Sequence, residues 1–132
     1  MSKNFLTTHD LEVSKLVKLF TKGVSNKTVN QGLQVLKKFP TSFILHNIIG
    51  MAYASSSKFS EAEKYYKFIL NEGIKDQRIL TNYGIINQQK GKTKEAIRLY
   101  EQSIDLYPNN PDSFCNLGSI YRENGDNKKA EY

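Results

Sequence analysis

The sequence predicts an all-α array of antiparallel helix pairs. Gly50, Gly84 and Gly118 recur at one constant interval. Ala62, Ala96 and Ala130 keep the same interval, each at the same offset from its glycine. Within each interval the apolar residues fall at i, i+3, i+4 and i+7, the spacing of one helical face. Self-similarity at a period between about 20 and 50 residues marks a repeat array, in which each unit buries its apolar side against the next.

Residues 1–8 have no periodicity and are expected to be loose or disordered. Residues 9–42 read as a degenerate helical hairpin that caps the array. Its first helix carries Leu11, Leu16, Val17, Leu19 and Phe20 and ends at Gly23; its second carries Val29, Leu33, Val35, Leu36 and Phe39 and ends before Pro40. Leu16 and Thr28 stand where the glycine and alanine would fall, as suits a terminal unit with no neighbour on one side.

Residues 43–76 form the first full unit. Phe43, Ile44, Ile48, Ile49, Met51, Ala52 and Tyr53 mark its first helix, weakened after Ser55. Ser60 followed by Glu63 has capping-box spacing before a second helix with Ala62, Tyr65, Tyr66, Ile69 and Leu70, and Gly73 suits its end. Residues 77–110 repeat the plan. Leu80, Tyr83, Gly84 and Ile86 lie on one helix, closed by Gly91. Thr93 is the expected cap of the next, which carries Ala96, Ile97, Tyr100, Ile104 and Leu106 and stops at Pro108. Residues 111–132 open a third unit at Pro111, with Phe114, Leu117, Gly118 and Tyr121, a closing Gly125, and a second helix cut off after Lys128 to Tyr132.

A glycine in mid-helix costs about 1 kcal/mol against alanine, so its recurrence implies close helix contact. The small residues are expected on facing surfaces of each pair. Tyr66 and Tyr100, Leu70 and Ile104, and Tyr53 and Tyr121 recur in register and are expected to fill the space between pairs.

The chain has 132 residues, 39% of them apolar, with a net charge of +6. The lone cysteine, Cys115, excludes an internal disulfide and fits a reducing compartment. The start shows no secretory signal, and no apolar run approaches about 18 residues, so a cytoplasmic chain without a membrane partner is expected. His9 and His46 stand far apart in the chain with no metal-ligand spacing. No nucleophile constellation, paired carboxylates or phosphate loop is recognisable, so neither catalytic residues nor a cofactor are expected. Lys15, Lys18, Lys22, Lys37, Lys38, Lys90, Lys92 and Lys94 are spread along the chain. They read as a solvated face rather than a nucleic-acid footprint, since no block of like charge occurs.

Leu117-Gly118, Tyr121, Gly125 and Ala130, with Tyr83-Gly84, Gly91, Glu95-Ala96, Tyr100, Ile104 and Pro108, resemble the tetratricopeptide repeat family. The period also equals the unit length of that family, about 34 residues. The likeness covers 43–132 well and 9–42 weakly. His46 and Leu80 stand where that family often has tryptophan, and Ser57 replaces the usual turn glycine. The resemblance implies a right-handed superhelical α-solenoid whose first helices line a concave groove for an extended peptide or a partner helix. The groove residues it implies are Asn47, Met51, Arg78, Thr81, Asn82, Ile85, Gln89, Asn116, Ser119 and Arg122, with Ile44, Ile48 and Cys115 beside them. Asn82 and Asn116, one period apart, would bind a peptide backbone through their amides.

The expected function is therefore a protein- or peptide-binding scaffold. Two alternatives are the recognition arm of a larger glycosyl- or sulfotransferase-like enzyme and a basic nucleic-acid-binding repeat. The unfinished last helix leaves Leu117, Ile120 and Tyr121 on an apolar edge, which predicts self-association through residues 111–132.

Overall fold

The structure, a computed structural model, describes residues 7–123. Among these are seven α-helices and no strand: α1 (Thr8–Thr21), α2 (Ser25–Lys38), α3 (Phe43–Ser55), α4 (Phe59–Asn71), α5 (Gln77–Gln89), α6 (Thr93–Leu106) and α7 (Pro111–Glu123). The starts of α3, α5 and α7 keep the interval of the recurring glycines, and so do those of α2, α4 and α6. Gly125, Ala130 and the helix expected from Lys128 lie outside the described residues, as do residues 1–6.

The chain divides into two compact units, one holding α1–α4 and the other α5–α7. In the first, Leu16, Val35, Leu45 and Ile48 form one core cluster, with Val13, Leu36 and Phe39 against it. In the second, Ala96 and Tyr100 of α6 pack on Leu117, Ile120 and Tyr121 of α7.

The recurring glycines make room for tyrosine. A Cβ added at Gly50 would stand 2.5 Å from the ring of Tyr66, and one at Gly84 would stand 2.5 Å from the ring of Tyr100. Both rings are fully buried. The tyrosines thus close their own helix pair first, and Tyr100 reaches on to α7 as well. In the N-terminal pair Gly32 plays a related part, with Ile49 against its α-carbon.

Helix ends depart from the expected pattern in several places. Thr7 caps α1 in a reciprocal box with Asp10, so the helix starts inside the segment expected to be loose. Ser60 does not cap α4, because Phe59 is already helical, and Glu63 instead pairs with Lys67 at 3.7 Å. Thr93 is the first residue of α6; its cap is Lys92, with no side-chain bond. Gly23, Gly73 and Gly91 take positive φ in the turns, and Ser57 takes φ +59° where these turns have glycine. Three residues expected in the core are exposed: Leu11 (46%), Val17 (44%) and Leu106 (44%).

Candidate functional site

The α5 side chains expected on the binding surface fall at i, i+4, i+7 and i+11, which puts Arg78, Asn82, Ile85 and Gln89 on one stripe. Arg78, Ile85 and Gln89 line it with partial or full exposure, and Asn82 is half-buried. On α7, Asn116 and Ser119 are half-buried and Arg122 is exposed. Asp76 caps α5, accepting from the backbone of Arg78 at 2.8 Å, and its carboxylate lies 3.5 Å from the Arg78 guanidinium. That contact holds Arg78 at the start of the stripe.

Thr81 does not belong to this surface. It is 8% exposed, and its hydroxyl donates to the Gln77 carbonyl at 2.9 Å. It also meets Ser103 at 2.9 Å and Ser113 at 3.4 Å, while Ser103 meets Ser113 at 2.9 Å. These hydroxyls tie α5, α6 and α7 together from the inside. Thr81 sits at the edge of the stripe, and the neighbouring hydroxyls turn it inward because a buried O–H needs a partner.

In the first unit Asn47 and Met51 are half-buried. The Tyr66 hydroxyl donates to Asn47 Oδ1 at 2.7 Å, so this amide braces α3 against α4. Ile48 belongs to the core. Cys115 is exposed.

Tyr100, the counterpart of Tyr66, finds a different partner. Its hydroxyl donates to Gln88 Oε1 at 2.8 Å, and Gln88 Nε2 donates to Glu123 at 3.2 Å. This chain links the buried ring to the ends of α5 and α7. Burial first, and the Glu123 charge second, push the Tyr100 hydroxyl well above the usual tyrosine range. Burial likewise raises Tyr65, with Tyr53 stacked beside it.

Sequence reasoning missed Asn87, which is 1% exposed and stands one period from Tyr53 and Tyr121. Its amide nitrogen donates to the Tyr83 carbonyl at 3.0 Å, while its Oδ1 is buried with no partner. An amide at a position held by tyrosine one period away on either side was the available signal.

The fold also brings Ser42 to His9 and Asp10, which are neighbours in the sequence. His9 Nε2 lies 2.7 Å from Ser42 Oγ, and His9 Nδ1 lies 3.7 Å from Asp10. Ser42 Oγ caps α3 by accepting from Leu45 N, and Asp10 caps α1 by accepting from Thr7 N. The Asp10 carboxyl is held below its usual range chiefly by the Thr7 hydrogen bonds. Both outer groups are committed to helix caps, and the Nδ1 distance exceeds a hydrogen bond. The arrangement is a clasp between α1 and α3. His46 is buried, stacked on Phe68 at 4.0 Å with Nδ1 donating to the Ser42 carbonyl.

Two tetratricopeptide repeat family models match this chain, one over residues 77–110 and one over 99–132. Among curated proteins, the chain is 34% identical over 85 residues to the photosystem I assembly protein Ycf3 of Rippkaea orientalis, covering 62% of this chain and 49% of that one. It is 31% identical over 97 residues to Ycf3 of Cyanophora paradoxa, covering 71% and 56%. The chain thus spans about half the length of the curated relatives it matches. Among solved structures, a MamA fragment from Desulfovibrio magneticus superposes with a TM-score of 0.85 at 18% identity, covering 92% of this chain and 69% of that one. The first repeat domain of Spaghetti (RPAP3), solved with an HSP90 peptide, superposes with a TM-score of 0.83 at 20% identity, covering 89% and 93%. At these identities the structures speak for the fold alone, an all-α solenoid of helical hairpins. With the helix pairs at a constant interval, a tyrosine ring over each of Gly50 and Gly84, and the two family matches, the chain belongs to the tetratricopeptide repeat family.

Proposed function

We propose that this chain is a non-catalytic scaffold that binds an extended peptide or a helix of a partner protein. The observation that carries the reading is the accessible stripe Arg78, Asn82, Ile85 and Gln89 on α5, with Asn116, Ser119 and Arg122 on α7, the helix that α5 meets through Gln88 and Glu123. An asparagine amide offers a donor and an acceptor together, which is what a peptide backbone requires. Ile85, 39% exposed between polar neighbours, supplies an apolar seat. In the first unit Met51 holds the register of Ile85, whereas Asn47 serves through its brace to Tyr66. The named function of the Ycf3 relatives, assembly of photosystem I, and the peptide held by the RPAP3 domain support a scaffold that works by gripping other polypeptides. On this reading the partner is a subunit or factor of a multiprotein assembly.

The test is selection of binding peptides from a random library, followed by titration against a chain carrying Asn82→Ala and Asn116→Ala. Loss of two backbone-directed hydrogen bonds weakens binding by about tenfold or more. Thermal melting of the variant is measured beside the titration, so that a loss of binding is separated from a loss of fold. Peptides that bind both chains equally would refute the role of this surface.

A further inference from the structure

Charge is divided unequally between the two units. Residues 7–71 hold nine lysines, no arginine and four acidic residues, Asp10, Glu12, Glu61 and Glu63, a balance of +5. Residues 72–123 hold seven basic and seven acidic residues, a balance of zero. Between Glu12 and Glu61 the chain has no acidic residue and seven lysines.

Part of this charge is ordered on α1. Leu11, Lys15, Lys18 and Lys22 follow at i, i+4, i+7 and i+11 and are all exposed. Lys15 has a loose contact with Glu12 at 3.9 Å, and no ion pair is formed by Lys18 or Lys22 among the described residues. The register of this stripe is informative. Leu11, Lys15 and Lys18 stand one repeat period before Leu45, Ile49 and Ala52, each fully buried on α3. In α3 that register packs on the preceding helix pair: Leu45 meets Leu16 and Val35, and Ile49 lies over Gly32. The same edge on α1 therefore has the form that receives a helix, with lysine in place of the apolar side chains.

Resting on the scaffold reading above, we propose that the outer edge of α1 docks an acidic amphipathic helix of a partner protein, laid where a preceding repeat would pack. A row of carboxylates at matching spacing would face Lys15, Lys18 and Lys22, and a small side chain would accept Leu11. Nucleic acid is the weaker fit: the unit lacks arginine, and its exposed large apolar residues are the aliphatic Leu11, Val17 and Ile44, with no aromatic platform among them. An anionic bilayer is also the weaker fit, because the lysines form a line along one helix with Asp10 and Glu12 at its start.

The full chain is titrated with an alanine-based helical peptide bearing one row of glutamates at i, i+4, i+7 and i+11, and with a scrambled peptide of the same composition. Mixed-sequence single-stranded RNA and phosphatidylglycerol-containing vesicles complete the set. The ordered acidic helix is expected to bind best. Combined Lys15→Gln, Lys18→Gln and Lys22→Gln should weaken it about tenfold. The matching Lys→Arg set should retain it, and the Asn82→Ala, Asn116→Ala chain should leave it unchanged. The same loss of charge on α4 and its approach, through Lys58→Gln, Lys64→Gln and Lys67→Gln, should have little effect. Equal binding of the scrambled peptide, preference for RNA or vesicles, no measurable binding, or equal sensitivity to the α4 set would overturn the proposal. None of these results bears on the peptide surface of α5 and α7, which is read by its own variant.

Discussion

Replacing Gly84 by alanine opposes two effects of known sign. Alanine favours a helix interior over glycine by about 1 kcal/mol. Against this, the new Cβ would stand 2.5 and 2.7 Å from two ring carbons of Tyr100 and 3.1 Å from a third. Atoms at those distances overlap, so the ring must move. Tyr100 is fully buried between Gly84, Ala96 and the α7 cluster, and its hydroxyl is tied to Gln88. Overpacking of this kind costs about 2 kcal/mol, and a strained hydroxyl bond adds about 1 kcal/mol. The balance is a loss of about 2 kcal/mol. At about 4 °C per kcal/mol for a chain of this size, the melting temperature should fall by about 8 °C. Circular-dichroism melts of the single variants and of a Gly84→Ala, Tyr100→Leu double variant complete a cycle. Leucine can turn away from the new methyl, so in that background Gly84→Ala should cost far less or stabilise. A neutral or stabilising Gly84→Ala in the parent chain would refute the reasoning, and so would an equal cost in both backgrounds.

Ser57→Gly should stabilise the chain by about 0.5 kcal/mol, since relief of the left-handed backbone at φ +59° outweighs the added entropy of the unfolded chain; a lower urea midpoint would contradict this. Asn87→Ala removes a buried, unpartnered carbonyl and favours the helix, so stability should rise by about 1 kcal/mol; a loss would mean that Oδ1 is bonded to an ordered water. Because the folded protein holds the Tyr100 hydroxyl above its unfolded value of 10.0, its contribution is whole below that pH and is lost as pH rises beyond it. Tyr100→Phe should therefore flatten the alkaline fall in stability, and an unchanged slope would show that Tyr100 does not contribute to it.

The helical spacing of apolar residues and the recurring glycines and alanines were enough to place the helix pairs. Those signals report which face of each helix must leave water, and that demand is local and periodic. The turn positions were equally legible, because Gly23, Gly73 and Gly91 adopt backbone angles that other residues resist. Helix starts were less so. Ser60 and Thr93 have cap chemistry, but α4 and α6 begin at Phe59 and Thr93, with Lys92 as the cap of α6.

Of the surface that the family resemblance implies, Arg78, Asn82, Ile85 and Gln89 share one stripe of α5. Thr81 shows where that geometry stops: one step along the helix from Asn82, its hydroxyl is turned inward by Ser103 and Ser113, which lie 22 and 32 residues away. Asn47 is likewise engaged by Tyr66, 19 residues on. The exposure of Leu11, Val17 and Leu106 has the same origin, for an apolar side chain is buried only where another element arrives to cover it. The sequence by itself thus determined the repeat, the helices and their buried faces, since periodicity is a property of neighbours along the chain. The partners of polar side chains and the exposure of Leu11, Val17 and Leu106 were decided by the tertiary structure, because a hydrogen bond or a covering helix depends on atoms brought together from distant positions.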